Sequence, residues 1–204
     1  MQGKHVAWTL PLMLAAGGLA AGCGPTTYQP SPAEMEEAAS ARSPVIGQRA
    51  PAFSLLNQDE ETVTLDQLRG RWVVLYFYPK DETPGCACQA EEFTALLEGF
   101  ERMNATIYGV SEDSPAAHRA FRAGYEIDLD LLSDPEHNMM RRYGVWVDTR
   151  IGDKQYERAI RTTMILGPGG VIRYHWPEVI PTGHAQRVHD MLTHLQQKHT
   201  PSRQ

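Results

Sequence analysis

The run Trp72-Val73-Val74-Leu75-Tyr76-Phe77-Tyr78 is continuously apolar or aromatic and is closed by Pro79. Its length and its β-branched and aromatic content predict a strand buried on both faces. The period then changes. Thr83-Pro84 offers a hydroxyl cap followed by proline at the first helical position, and Ala90, Phe93, Leu96, Leu97 and Phe100 follow at helical spacing, so a helix is predicted from Thr83. Ala105 to Val110 reads as a second strand. Ser114-Pro115 repeats the cap signal before Ala117, Phe121 and Tyr125, and Asp134-Pro135 repeats it before a helix at Met139 to Tyr143. Arg158 to Leu166 and Val171 to Trp176 read as two further strands, joined by the tight turn Gly167-Pro168-Gly169-Gly170. A last helix is predicted from about His184 to Gln197. Strands alternating with helices, without internal repeats, predict one α/β domain over residues 44–199 with a short tail at 200–204.

The chain before this domain has another character. Met1 to Gly22 carries Lys4 and no acidic residue, then an apolar stretch from Val6 that is interrupted by Pro11, then Ala20, Ala21 and Gly22 before Cys23. This is the layout of a secretory signal. The apolar stretch falls short of the roughly 20 residues a membrane-spanning helix needs, and Thr9, Pro11 and the Gly17-Gly18 pair disfavour a helix. Gly24 to Ser43, with Pro25, Pro30, Pro32 and the acids Glu34, Glu36 and Glu37, reads as a flexible tether.

Composition narrows the function. At 204 residues with 42% hydrophobic content the chain supports one good core. Its 25 acidic against 19 basic residues give a net charge of −6, which opposes binding to a phosphate backbone, and nucleic acid is not an expected partner. Three cysteines, Cys23, Cys86 and Cys88, are too few for a disulfide scaffold or an all-thiolate zinc site. Redox chemistry, lipidation or burial remain as their uses.

Cys86 lies three residues after the expected cap Thr83, in the first turn of the predicted helix. Unpaired backbone N–H groups and the positive end of the helix dipole favour a thiolate there. Burial as a small core side chain is the alternative that position alone leaves open. The segment Tyr76-Phe77-Tyr78-Pro79-Lys80-Asp81-Glu82-Thr83-Pro84-Gly85-Cys86 resembles the active-site segment of peroxiredoxins of the bacterioferritin comigratory protein type, with Pro, three residues, Thr, two residues and Cys. Gly47-Gln48-Arg49-Ala50-Pro51-Ala52-Phe53 is similar to that family's opening, Tyr108-Gly109-Val110-Ser111 to its next strand, and Arg161-Thr162-Thr163-Met164-Ile165-Leu166 to its arginine-bearing strand. The resemblance covers roughly Pro44 to Gln197. It implies a thioredoxin-like α/β fold, a central mixed β-sheet flanked by helices, and a thiol-dependent peroxidase that acts on hydrogen peroxide and small organic hydroperoxides without a cofactor or metal.

By the same resemblance Cys86 is the peroxidatic thiolate that becomes a sulfenic acid, Thr83 holds the peroxide, Arg161 donates to thiolate and peroxide, and Pro79 walls the pocket. An external thiol, such as a thioredoxin-like protein, is the implied reductant. The chain departs from the pattern at the resolving position: five residues after Cys86 stands Glu91, with Cys88 only two residues on. Positions two apart point to nearly opposite sides of a helix, so a Cys86–Cys88 disulfide needs local unwinding. A one-cysteine cycle is therefore expected, with Cys88 as the possible resolving residue in the other case.

The small residues before Cys23 resemble the lipobox of bacterial lipoproteins, except that Ala20 stands where that family usually has Leu. This implies cleavage before Cys23, acylation of Cys23 and a membrane-tethered, exported domain. With Gly24 rather than Asp next, the outer membrane is implied in a Gram-negative envelope. Two alternatives share parts of the pattern: a Sco-like copper-delivery protein and a thiol-disulfide exchanger. The single residue between Cys86 and Cys88 fits neither the wider spacing of the first nor the Cys-x-x-Cys of the second. His184, His189, His194 and His199, mainly five apart, read as a solvated helix face rather than a metal site. His118, His137 and His175 have no evident partner, Trp146 and Trp176 read as packing residues, and Lys80-Asp81-Glu82 reads as an exposed loop.

Overall fold

The computed structural model describes residues 31–32, 45–151 and 154–199. The expected signal segment, Cys23, nearly all of the tether and the tail lie outside them. In chain order the elements are β1 (Ser54–Asn57), β2 (Thr62–Thr64), a 3-10 turn (Leu65–Leu68), β3 (Trp72–Phe77), α1 (Pro84–Ala95), α2 (Leu97–Arg102), β4 (Ala105–Ser111) and α3 (Pro115–Tyr125). These are followed by β5 (Asp130–Ser133), α4 (Asn138–Arg142), β6 (Trp146–Ile151), β7 (Lys154–Ala159), β8 (Thr162–Leu166), β9 (Ile172–Trp176) and α5 (His184–His199). Seven strands form one sheet in the order β2-β1-β5-β4-β3-β8-β9, and β6 with β7 forms a separate hairpin. The centre, β3-β4-β5, is parallel, whereas β8 pairs antiparallel to β3 and β1 antiparallel to β5.

The β3 sequence explains its place. All six residues are buried, as the unbroken apolar run requires of a central strand. Trp72, Val74, Tyr76 and then Tyr78 face Ala87, Ala90 and Phe93 of α1, Phe121 of α3, and Val188, Met191 and Leu192 of α5. Val73, Leu75 and Phe77 face Phe53, Met139, Met140 and Tyr143 on the other side. The strand's period of two thus feeds two cores at once, each large side chain contributing about 1.5–3 kcal/mol on burial. Gly109, opposite Tyr76 on β4, makes room for this: a Cβ there would sit 2.6 Å from the Tyr76 ring. Helices on both faces of a mixed, centrally parallel sheet make this a thioredoxin-like α/β fold.

Three expectations need correction. The helix from Thr83 does not run unbroken past Phe100. It ends at Ala95, and α2 restarts at Leu97, a bend that brings the Phe100 ring to 6.0 Å from Phe93 and 5.4 Å from His189. The strand Arg158 to Leu166 is in fact two strands. Its first part pairs in the β6–β7 hairpin and its second enters the main sheet at Thr162, so Ile160 and Arg161 form the junction. Asp134 is not the cap of α4. His137 holds that position at φ 57, while an Asp134 carboxylate oxygen accepts from the Met140 amide at 2.8 Å. At α3 the expected cap is made, with Ser114 Oγ accepting from the Ala117 amide at 3.3 Å. Among the described residues no helix is long and apolar enough to cross a membrane.

Candidate active site

Pro79 stops β3, and the turn Lys80 to Thr83 delivers the chain to Pro84, whose ring suits the first position of α1. Thr83 stands at the cap with extended backbone (φ −74, ψ 142), but its hydroxyl makes no bond to the helix. It donates instead to the Lys80 carbonyl at 3.2 Å. The expected side-chain cap is therefore absent. The Thr83 carbonyl takes the amides of Cys86 and Ala87, both at 2.9 Å, so the position of this turn fixes that of the first helical turn directly.

Cys86 is buried, with 1% of its surface exposed, and its thiol is free. Arg161 Nη2 donates to its Sγ at 3.1 Å, and Nη1 donates to Gln89 Oε1 at 2.7 Å. The junction between β7 and β8 is what releases Arg161 from the sheet to point at the helix start, and the Val179 amide pins its carbonyl at 2.9 Å. A guanidinium held at two nitrogens and aimed at sulfur stabilises negative charge there at no further cost of orientation. Gly85 supplies the clearance: a Cβ there would lie 3.3 Å from Pro181 and 3.5 Å from Arg161. Cys86 and Arg161, far apart in sequence, thus meet, with Thr83 on the turn beneath the helix start and Pro79 half-buried at the end of β3.

Gln89 is not among the candidates that the sequence offers. It is fully buried and sits one helical turn after Cys86, so the i, i+3 rule alone placed it on the cysteine's face. Its polarity on an otherwise apolar face was the available signal. Cys88 is half-buried on α1 with its sulfur 3.9 Å from Glu92 Oε1, and Glu91 is exposed.

The histidines also depart from expectation. His184 is not on a solvated face but in the core, edge-on to Phe93 and Trp176 and bonded through Nε2 to Thr163 Oγ1 at 2.9 Å. Burial, then the charges of Arg187 and Arg161, hold its pKa at about 3. The imidazole gains its proton near pH 6.5 when unfolded but only near pH 3 when folded, so the unfolded state binds more protons between these values. Stability is therefore complete above about pH 6.5 and falls as pH drops toward 3, by at most about 1.4 kcal/mol per pH unit. Urea unfolding at pH 7 and pH 5 is expected to show a smaller loss for His184→Gln than for the wild type; equal losses would contradict this. Of the loop Lys80-Asp81-Glu82, Asp81 is buried, and its partner is His118 at 2.8 Å. His137 stacks on Trp146 at 3.5 Å. Among the described residues no group of three or more His, Cys, Asp or Glu is arranged to hold a metal ion.

The AhpC/TSA family pattern matches residues 46–175. The chain belongs to this family. A putative peroxiredoxin bcp of Coxiella burnetii is 39% identical over 143 residues, covering 70% of this chain and 95% of the relative. Peroxiredoxin Bcp of Bacillus subtilis is 35% identical over 153 residues, covering 75% of this chain and 98% of its own. Among solved structures, the bacterioferritin comigratory protein of Xanthomonas campestris superposes with a TM-score of 0.69 at 34% identity, covering 70% of this chain and 91% of that one. This peroxiredoxin is of the Bcp/Q type, and its activity is that of a thiol-dependent peroxidase. That identity replaces the copper-delivery and disulfide-exchange alternatives.

Proposed function

We propose that Cys86 is the peroxidatic residue of this peroxidase and that Arg161, held by Gln89, is its electrostatic catalyst. The observation that carries the reading is the 3.1 Å donation from Arg161 Nη2 to the Cys86 sulfur. The thiolate sulfur attacks one peroxide oxygen in line with the O–O bond, forming the S–O bond as the O–O bond breaks. The departing hydroxide or alkoxide takes a proton and leaves as water or alcohol. Arg161 donates to the sulfur before attack and to the peroxide oxygens as charge moves onto them, and the Thr83 hydroxyl holds the peroxide in line. Pro79 keeps water from the sulfenate.

The substrates are hydrogen peroxide and small organic hydroperoxides. The Xanthomonas campestris relative, described by its alkyl peroxide reduction activity, supports the organic class. An external thiol then attacks the Cys86 sulfenic acid, releasing water and leaving a mixed disulfide, which a second thiol of the reductant breaks to regenerate Cys86. A thioredoxin-like protein fits this role. Glu91 at the fifth position after Cys86, and Cys88 only two residues on, favour this one-cysteine cycle. With a small dithiol, the purified protein should consume hydrogen peroxide and oxidise dithiol in equal amounts, and Cys88→Ser should keep most of that turnover. Loss of turnover in that variant would transfer resolution to Cys88.

The proposed location is the cell envelope. Met1 to Gly22 is removed as a signal, Cys23 carries the lipid, residues 24–43 tether the domain, and a Gram-negative host places it at the outer membrane. The small residues before Cys23 and the Pro- and Glu-containing stretch after it support this. Intact mass of membrane-extracted protein should show loss of residues 1–22 and added acyl mass. A product retaining Met1 to Gly22, or one in which Cys23 is a thiol or is joined to Cys88, would contradict it.

A further inference from the structure

The turn before α1 is fastened from beneath by a buried polar cluster that the chemistry at Cys86 does not use. Asp81 Oδ2 meets Nδ1 of His118 on α3 at 2.8 Å, and its Oδ1 accepts from the Tyr78 hydroxyl at 2.7 Å. The Asp81 amide donates to Asp113 Oδ2 at 2.9 Å, and that same oxygen accepts from the Ser111 hydroxyl at 2.8 Å. Asp81 is only 6% exposed and His118 is inaccessible. His118 Nε2 has no hydrogen-bond partner among the described residues. Among the described residues the one polar bond of this imidazole ring is therefore to Asp81, and an apolar side chain of like volume would leave the buried Asp81 Oδ2 without that partner.

The next residue, Glu82, sits in the left-handed region at φ 61, which a non-glycine side chain does not choose unaided. One residue further, the Thr83 carbonyl receives the Cys86 and Ala87 amides, and the Thr83 hydroxyl reaches back to Lys80. Any shift of the turn therefore passes directly into the first turn of α1, where the Cys86 sulfur must meet Arg161.

We propose that Asp81 and His118 are positioning residues of the peroxidase: their buried bond holds the Lys80 to Thr83 turn so that Thr83 and Cys86 stand in reacting register with Arg161. The proposal rests on the reading of Cys86 as the peroxidatic residue. It assigns no contact with substrate to either residue. It separates the latch from generic core packing, because what matters is the N–H donated to Asp81 and not the volume of the ring.

The test compares His118→Asn, whose side-chain amide can place an N–H where Nδ1 stands, with His118→Leu, which fills space without donating. Single-turnover rate constants for hydrogen peroxide are measured alongside amide exchange of peptides covering residues 79–87. His118→Leu is expected to lose roughly tenfold or more in rate constant, the scale on which small misplacements act, with faster exchange confined to those peptides. His118→Asn should recover to within about threefold of wild type. Should His118→Leu fail to fold, Asp81→Ala, which bonds neither Tyr78 nor His118 through its side chain, carries the same expectation. Equal rate constants for the donor and non-donor variants would overturn the proposal, as would a folded Asp81→Ala with wild-type rate and exchange. A wild type that does not oxidise at Cys86 would instead overturn the underlying assignment, so the two failures are distinguishable.

Discussion

Replacing Cys86 by serine should abolish peroxide turnover, by roughly 10⁴-fold or more, the scale on which removal of a catalytic nucleophile acts. The substitution changes sulfur to oxygen in a buried position whose neighbour, Arg161, can donate to a hydroxyl as readily as to a thiol. The fold therefore has no reason to fail. What fails is the chemistry, because a serine hydroxyl ionises far too poorly to act as the attacking anion. Circular dichroism and thermal unfolding like those of the wild type, with no peroxide consumption above the rate of the dithiol alone, are the expected results. Near-normal peroxidase activity in the serine variant would remove Cys86 from the centre of the reaction.

Changing Arg161 to methionine should lower the rate constant for hydrogen peroxide by about 10², the scale for losing one oriented electrostatic donor. Methionine keeps the length and much of the volume of the arginine stem but donates nothing to the sulfur and nothing to Gln89. Lysine is not an adequate substitute, since a single ammonium cannot reproduce the planar fork that meets Sγ and Oε1 together. Single-turnover kinetics should therefore place Arg161→Lys below wild type as well. If both variants oxidise at the wild-type rate, Arg161 is a structural residue at the strand junction and the site must be rebuilt around other donors.

Much of this architecture is legible where local signals act alone. The β3 run has the length, the β-branching and the closing proline of a central strand, and the structure buries all six of its residues. Thr83-Pro84 starts α1, and Ser114-Pro115 starts α3, because proline at the first helical position needs no N–H and arrives with a helical φ. Less legible is anything that depends on where a distant partner lies. β1, β2 and β5 are three or four residues each, too short to show a period, and they exist because they pair with one another and with β4. The break between β7 and β8 has no proline or glycine to announce it. It follows from the Ile160 amide binding Val145 at 2.8 Å while Thr162 enters the sheet beside Phe77.

The site divides along the same line. Cys86 is readable from its helix-start position and its surrounding motif, and Arg161 from the resemblance of its strand. Gln89 required asking which residue shares the cysteine's face. Asp81 reads as exposed in sequence because its neighbours Lys80 and Glu82 are charged and exposed, while the group that draws it inward, His118, lies 37 positions away. Likewise the five-residue spacing of His184, His189, His194 and His199 describes a helix surface, but not that α5 turns His184 toward Phe93 and Trp176.

The most direct measurement of the central claim is peptide mass analysis of the reduced protein after one equivalent of hydrogen peroxide, with a sulfenic-acid trap present. The trap adduct is expected on the peptide containing Cys86, specifically on that residue, and is expected to be lost in Cys86→Ser. The contradicting result is an untrapped Cys86 with the added oxygen elsewhere. A product consisting mainly of a Cys86 to Cys88 disulfide would keep Cys86 as the attacking residue but overturn the one-cysteine cycle.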